Sequence, residues 1–188
     1  MVTPDVRRRL STLAIALAGA IALASCAQPT PSEEESGLSL VESKAKVQLM
    51  RNNVANRIPG EDLAGHDDSA DFSVTCGSES TDPDGITRYW TSRVDVALTE
   101  VHAATEVFDE LSVSLQHQGW KVEAFELNNS PRAQMLKSGS STTDLSLNLY
   151  EATDDKPAII RIEAHGPCVK TAGADSDEVK QLEESAGN

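Results

Sequence analysis

Three cysteines are the residues in this 188-residue chain whose positions best define a chemistry. Cys26 ends a sixteen-residue stretch without charge, which runs from Leu10 to Ser25. Cys76 and Cys168 form an even pair, each at the end of a predicted strand, and an oxidising compartment would join them in a disulfide. That bond would close most of the domain into one loop, worth roughly 4–5 kcal/mol in the chain-entropy model. Two free thiols are the alternative, but neither lies in a CxxC redox motif.

The first 25 residues have the parts of a secretory signal. Arg7 to Arg9 supply positive charge, and the apolar stretch Leu10–Ser25 follows them. That stretch is shorter than the about 20 apolar residues that a bilayer-spanning helix needs. Residues 1–25 are therefore predicted to be a signal peptide for the Sec route. The sequence "RRRLS" also loosely resembles a twin-arginine signal, so the twin-arginine route is the alternative.

Leu23, Ala24, Ser25 and Cys26 resemble the lipobox of bacterial lipoproteins at all four positions. The resemblance implies that a diacylglyceryl group is attached to Cys26 and that the type II signal peptidase recognises the three preceding residues. Acyl chains such as palmitate would then anchor the mature chain, since each buried methylene contributes about 0.8 kcal/mol. The expected location is the extracytoplasmic face of the cell membrane, with the lipid as the membrane contact. An ordinary signal peptide with a chance cysteine is the alternative.

The charge of the chain limits its partners. The formal net charge is −14, and the signal peptide carries three arginines and one aspartate, so the mature chain is at −16. Contacts to phosphate need Lys and Arg, so nucleic acid is not an expected partner. The same charge argues against a domain that lies flat on anionic lipid. It is explained by solubility in the envelope, with capture of a cationic partner or a metal as the alternative.

No catalytic motif is present: the chain has no nucleophile elbow, Walker loop or HExxH sequence. The acidic segment 61–71, which includes His66, is interpreted as a solvated loop because it lacks three metal ligands at fixed spacing. His165 is close to Cys168 in sequence and would matter only beside a free thiolate. We therefore predict no catalytic residue, no metal and no cofactor, and expect that the chain is not an enzyme.

The pattern along the first half of the chain predicts a spacer, a helix and a hairpin. Residues 26–37 combine Pro, Ser and Glu, which is typical of a flexible spacer after the lipidated cysteine. Apolar residues recur at helical spacing over 40–58. Alternation then predicts strands at 71–77 and 87–98, paired as a hairpin.

The second half predicts a helix, three strands and a tail. The helix covers 100–119, and the strand 120–127 carries a bulge near Ala124. The remaining segments are a loop at 128–134, a hairpin of strands within 142–152 and 156–168, and an acidic disordered tail at 171–188.

These elements make one α+β domain over residues 38–170. The expected order is α-β-β-α-β-β-β, with an antiparallel sheet of about five strands and two helices on one of its faces. Tyr89 and Trp90 are neighbours on a strand and point to opposite faces, so one of them is a possible contact residue.

The order of lipobox, Pro/Ser/Glu spacer, helix, strand ending in Cys, "GW" strand and late "PC" is similar to small envelope lipoproteins of high-GC Gram-positive bacteria. That resemblance implies the location and no assigned activity. The predicted function is a membrane-anchored, non-catalytic binding or accessory domain for an unidentified envelope protein or ligand. The alternative is a carrier or scavenger of a small ligand, lipid or metal.

Overall fold

The computed structural model describes residues 37–99, 101–127, 130–138 and 142–186. The predicted signal peptide, the lipobox with Cys26 and nearly all of the spacer lie outside these residues. The helices of the described part are α1 (Leu40–Ala55), α2 (Val101–His117) and α3 (Asp177–Glu184), with a 3-10 turn at Gly60–Asp62. Its strands are β1 (Leu63–Thr75), β2 (Thr87–Leu98), β3 (Trp120–Leu127), β4 (Ser130–Ser138), β5 (Asp144–Tyr150), β6 (Ile159–His165) and β7 (Val169–Lys170).

The strands form one sheet in the order β1-β2-β6-β5-β4-β3, with β7 paired to β2. Every neighbouring pair is antiparallel. The predicted α+β class and antiparallel sheet are therefore confirmed. The predicted number of five strands and two helices is wrong, because β4, β7 and α3 were not expected.

Two segments that were predicted to be loops are strands. β1 begins at Leu63, so most of the acidic segment 61–71 is paired to β2. The segment 128–134 contributes residues to β4 in spite of Pro131. β4 pairs with β3 on one side and with β5 on the other. The neighbouring backbones supply its hydrogen-bond partners, so β4 is a strand although its local sequence does not have a strand pattern.

The helices lie on one face of the sheet, which we call the helix face. Paired residues on neighbouring antiparallel strands point to the same side, and by this register Asp71, Ser73 and Gln134 share one face with Val94. Each of the three is held by a different helix. Arg51 of α1 lies 3.8 Å from Asp71, Glu183 of α3 accepts a hydrogen bond from Ser73, and Ser112 of α2 donates one to Gln134.

The core lies between these helices and the sheet. It combines the stripe of α1, the inner side of α2 and the inward residues of the central strands, and its fully buried members include Val47, Phe108, Trp90, Leu147 and Ile162. α1 starts with a capping box in which Ser39 and Glu42 exchange hydrogen bonds, which satisfies backbone donors at the helix start.

The C-terminal segment is tied to the domain, and the predicted disordered tail is wrong over residues 171–186. α3 places Val179 in the core with no exposed surface. Lys44 of α1 donates hydrogen bonds to the carbonyl of Leu182 and to Ser185. The sequence of this segment is typical of a disordered tail because it has few apolar residues among its charges. Its polar groups are nevertheless held by partners on neighbouring elements.

The predicted disulfide joins Cys76 to Cys168 across 92 positions of the chain. It connects the end of β1 to the segment between β6 and β7. β7 and α3 follow directly after it, so the covalent bond holds the start of the C-terminal segment against the sheet.

The connection between β1 and β2 is organised by Asp82. Its carboxylate accepts hydrogen bonds from the backbone N–H groups of Thr87 at 2.7 Å and Ile86 at 2.8 Å. These bonds, first that from Thr87, hold the pKa of Asp82 below its usual range because they stabilise the ionised form. Gly85 completes the turn at φ 60°, which favours glycine.

Candidate functional site

The candidate site is the face of the sheet opposite the helices, which we call the outer face. It carries the side chains that share a side with Thr91 of β2, Asn148 of β5 and His165 of β6. Each of the described helices packs on the other face, as the contacts of Asp71 and Gln134 show. A large antiparallel sheet with no described helix on one face offers a broad, rigid platform of side chains.

Arg161 and Asp95 form the strongest ion pair of this face. They lie opposite each other on β6 and β2, and two hydrogen bonds of 2.7 Å join the guanidinium to both carboxylate oxygens. Hydrogen bonding to Asp95 raises the pKa of Arg161 above its usual value. The two side chains keep 27% and 21% of their surface exposed, so the pair is accessible from outside.

Tyr150 extends this arrangement onto β5. Arg161 Nη1 donates a hydrogen bond of 3.3 Å to the hydroxyl of Tyr150, and the guanidinium carbon lies 5.1 Å from the centre of the ring. A cation at this distance is attracted to the face of an aromatic ring. The position of Tyr150 is therefore fixed by its neighbour as well as by its strand.

Thr91, His165 and Glu163 make a second cluster. Thr91 Oγ1 and His165 Nδ1 share a hydrogen bond of 3.2 Å, and His165 Nε2 lies 4.0 Å from Glu163 Oε1. Tyr89 meets the imidazole edge-on with ring centres 6.2 Å apart. The order hydroxyl, imidazole, carboxylate is that of a hydrolytic triad. Thr91 is only 1% exposed, so its hydroxyl is poorly placed to attack a substrate.

Charges on the outer face alternate in sign across the strands. Cross-strand neighbours of opposite charge are Arg93 with Glu163, Arg161 with Asp95, and Lys137 with Asp144. Lys137 Nζ also lies 3.3 Å from Glu123 Oε2, and Lys121 is the residue opposite Lys137 on β3. The outer face is thus close to neutral among its described side chains, although the whole chain has a net charge of −14.

Asn148 occupies the centre of the outer face. It lies opposite Arg161 on one side and Ala133 on the other, and only 4% of its surface is exposed. Its Oδ1 has no hydrogen-bond partner in the part of the chain that the structure describes. A buried acceptor without a partner costs free energy, so such a group commonly marks a place for a water or a ligand donor.

The structure separates the predicted contact residues. Tyr89 lies on the outer face beside His165, as described. Trp90 is completely buried in the core, with Lys44 Nζ 4.8 Å from its ring centre, so Tyr89 is the member of the pair that stays a possible contact residue. Cys168 is held in the disulfide, so no free thiolate stands near His165.

The remaining sequence predictions have separate outcomes. Leu23, Ala24, Ser25 and Cys26 lie outside the described residues. His66 is exposed on β1 and belongs to no group of three metal-ligating side chains; no such group occurs in the described ranges. Among these ranges, too, no helix is both long and apolar enough to cross a bilayer.

The helix side of the described part of the chain includes a larger and a smaller depression. One, of about 610 Å³, is a shallow area along α2 that includes Val113 and His117. The other, of about 220 Å³, lies between Ile58 after α1 and Leu111 of α2. Ligand pockets usually measure about 300–1,000 Å³ and enclose most of their ligand, and neither depression meets both conditions.

Comparison of the chain with protein-family models, with curated proteins and with solved structures finds no match. The sequence predicts a sheet with helices on one face, but it does not predict which side chains meet on the other face. The alternating pattern of β5 and β6 does predict one polar side for each strand. Only the register between strands, however, brings Arg161 to Asp95 and His165 to Thr91.

Proposed function

We propose that this chain is a lipid-anchored binding or accessory domain of the bacterial cell envelope, without catalytic activity of its own. The lipobox resemblance at Leu23 to Cys26 supports the anchor. The disulfide between Cys76 and Cys168 supports an oxidising, extracytoplasmic compartment. The partner would be an envelope component that meets the outer face of the sheet.

The observation that best supports the binding role is that side chains on the outer face fix one another's positions and are still partly exposed. Arg161, Asp95 and Tyr150 hold one another in place, yet Arg161 and Asp95 keep about a quarter of their surface exposed. Side chains fixed before binding lose little conformational freedom on binding, which favours affinity. A face of this kind suits recognition better than it suits turnover.

Two features favour binding over hydrolysis. Thr91 is only 1% exposed, so its hydroxyl has little access to a substrate. Cys168 is bonded to Cys76 and lacks the thiolate that a cysteine nucleophile needs. The carrier alternative has weaker support, because the larger depression is shallow and the cleft at Ile58 is small.

The proposal is tested by photocrosslinking in living cells. A photoreactive amino acid replaces Lys137, which lies on the outer face with its side chain 51% exposed. The matched control replaces Leu49 on α1, which is 62% exposed on the helix side. We expect a discrete crosslinked species from position 137 only. Equal crosslinking from both positions, or none from position 137, contradicts the proposal.

A further inference from the structure

The charge pattern of the outer face restricts the chemistry of its ligand. Arg161 donates two hydrogen bonds to Asp95, and Lys137 lies between Asp144 and Glu123. An anionic ligand would have to compete with these carboxylates and would approach a chain of net charge −14. A cationic ligand would have to compete with Arg161 for Asp95 and with Lys137 for Glu123. Charge complementarity therefore favours a ligand that is polar and uncharged.

The groups that remain free on this face suit hydroxyl groups. Within the part of the chain that the structure describes, His165 Nε2 has the Glu163 oxygen at 4.0 Å beside it, and the buried Asn148 Oδ1 has no hydrogen-bond partner. The carboxylate of Asp95 accepts from Arg161 and retains further lone pairs. Hydroxyl groups both donate and accept, so they match a mixed set of this kind.

Aromatic rings add an apolar component at three described sites, namely Tyr150, Tyr89 and Phe72, which lies opposite Thr91 and is 38% exposed. Tyr150 has one ring side facing Arg161, and Tyr89 lies at the other end of the face beside His165. Tyrosine combines an apolar ring with a polar tip and is enriched in binding sites. The C–H side of a sugar ring is apolar, while its edge carries hydroxyls. Strand β5, from Asp144 to Tyr150, spans about 20 Å, which is long enough for several sugar units.

We infer that the outer face between Tyr150 and His165 binds a neutral, hydroxyl-rich glycan. The inference rests on the proposed binding role and names the chemical class of its ligand. Tyr150 supplies the ring, and His165 supplies a ring nitrogen whose neighbour is the Glu163 oxygen at 4.0 Å.

The test is affinity electrophoresis of the full chain in mild detergent. Native gels contain dextran, mannan or galactan as neutral probes, or alginate as an anionic probe. The chain is expected to be retarded by at least one neutral polysaccharide and not by alginate. Retardation by alginate alone, or by none of the neutral probes, overturns the inference.

Variants assign the binding to the outer face. Tyr150→Ala and His165→Gln are each expected to raise the dissociation constant for the retarding polysaccharide at least tenfold. Leu49→Ser on α1 is the control and should bind like the parent. Thermal unfolding of each variant shows that it is folded, and a folded pair of outer-face variants that bind normally overturns the inference. Crosslinking from position 137 without retardation would reject the glycan while leaving the proposed binding role intact.

Discussion

Gly166 lies against Ser43 so closely that a β-carbon on the glycine would stand 2.2 Å from the serine Oγ. Ser43 is completely buried in α1, and Gly166 follows β6 directly. Val47 and the carbonyl of Trp90 surround the same point at 3.3 and 3.5 Å. The absence of a side chain at position 166 therefore sets how closely α1 approaches the sheet.

Gly166→Ala is expected to destabilise the fold by about 1–3 kcal/mol, because the extra methyl group overpacks a buried contact. Urea unfolding measures the change. Gly60→Ala is the control, since a β-carbon at Gly60 meets nothing within 4 Å. A Gly166→Ala protein as stable as the Gly60→Ala protein would show that α1 moves away from the sheet without cost.

Removal of the disulfide should destabilise the chain by about 4–5 kcal/mol in the chain-entropy model, given its 92-residue separation. The Cys76→Ser, Cys168→Ser double variant is compared with the parent by chemical denaturation. Hydrogen exchange should rise first in β7 and α3, which follow Cys168. Unchanged stability together with unchanged exchange in these elements would contradict the role assigned to the bond.

The stability of the chain should depend on the ionisation of Asp82. The pKa of Asp82 is lower in the folded chain than in the unfolded chain, where it is near its usual value of 3.8. The stabilisation is therefore present in full above the unfolded pKa and is lost as the pH falls through the folded pKa. Asp82→Asn should lose this part of the acid dependence in urea unfolding between pH 6 and pH 2, whereas Asp84→Asn serves as the neighbouring control. The same acid dependence in the parent and in Asp82→Asn would exclude Asp82 as its source.

The lipid anchor depends on a single thiol in the proposal. Cys26→Ser should shift the chain from the membrane fraction to the soluble fraction and abolish incorporation of a labelled fatty acid. Cys76→Ser, Cys168→Ser is the matched control, since it keeps Cys26 and should remain in the membrane fraction. Continued membrane association of Cys26→Ser, with no fatty acid in the parent, would reject lipidation.

The sequence predicted those elements whose apolar pattern is strong. In β5, Leu145, Leu147 and Leu149 alternate with polar residues and face the hydrophobic core as expected. α1 and α2 follow from helical spacing in the same way. The pairing of Cys76 with Cys168 was predictable because they are the even pair that remains when Cys26 is assigned to the lipid.

Elements held by their neighbours were not predictable from local pattern. Pro131 and Gln134 interrupt the strand pattern of β4 in the sequence, although pairing with β3 and β5 keeps this segment extended. α3 has few apolar residues, and Val179 reaches the core only because β1 and α1 lie beside it. The outer face depends on register, so the ion pair between Asp95 of β2 and Arg161 of β6 can be recognised only when the strands are aligned.

The most direct test of the binding role compares the accessibility of the outer face in intact cells with that in the purified chain. Lys137→Cys marks the outer face, and Lys46→Cys marks α1; both side chains are exposed. A membrane-impermeant maleimide reports the labelling rate at each cysteine. We predict that labelling at position 137 is at least tenfold slower in cells than in the purified chain, while labelling at position 46 is unchanged. Equal rates at position 137 in both settings would show that nothing occupies the outer face and would contradict the account.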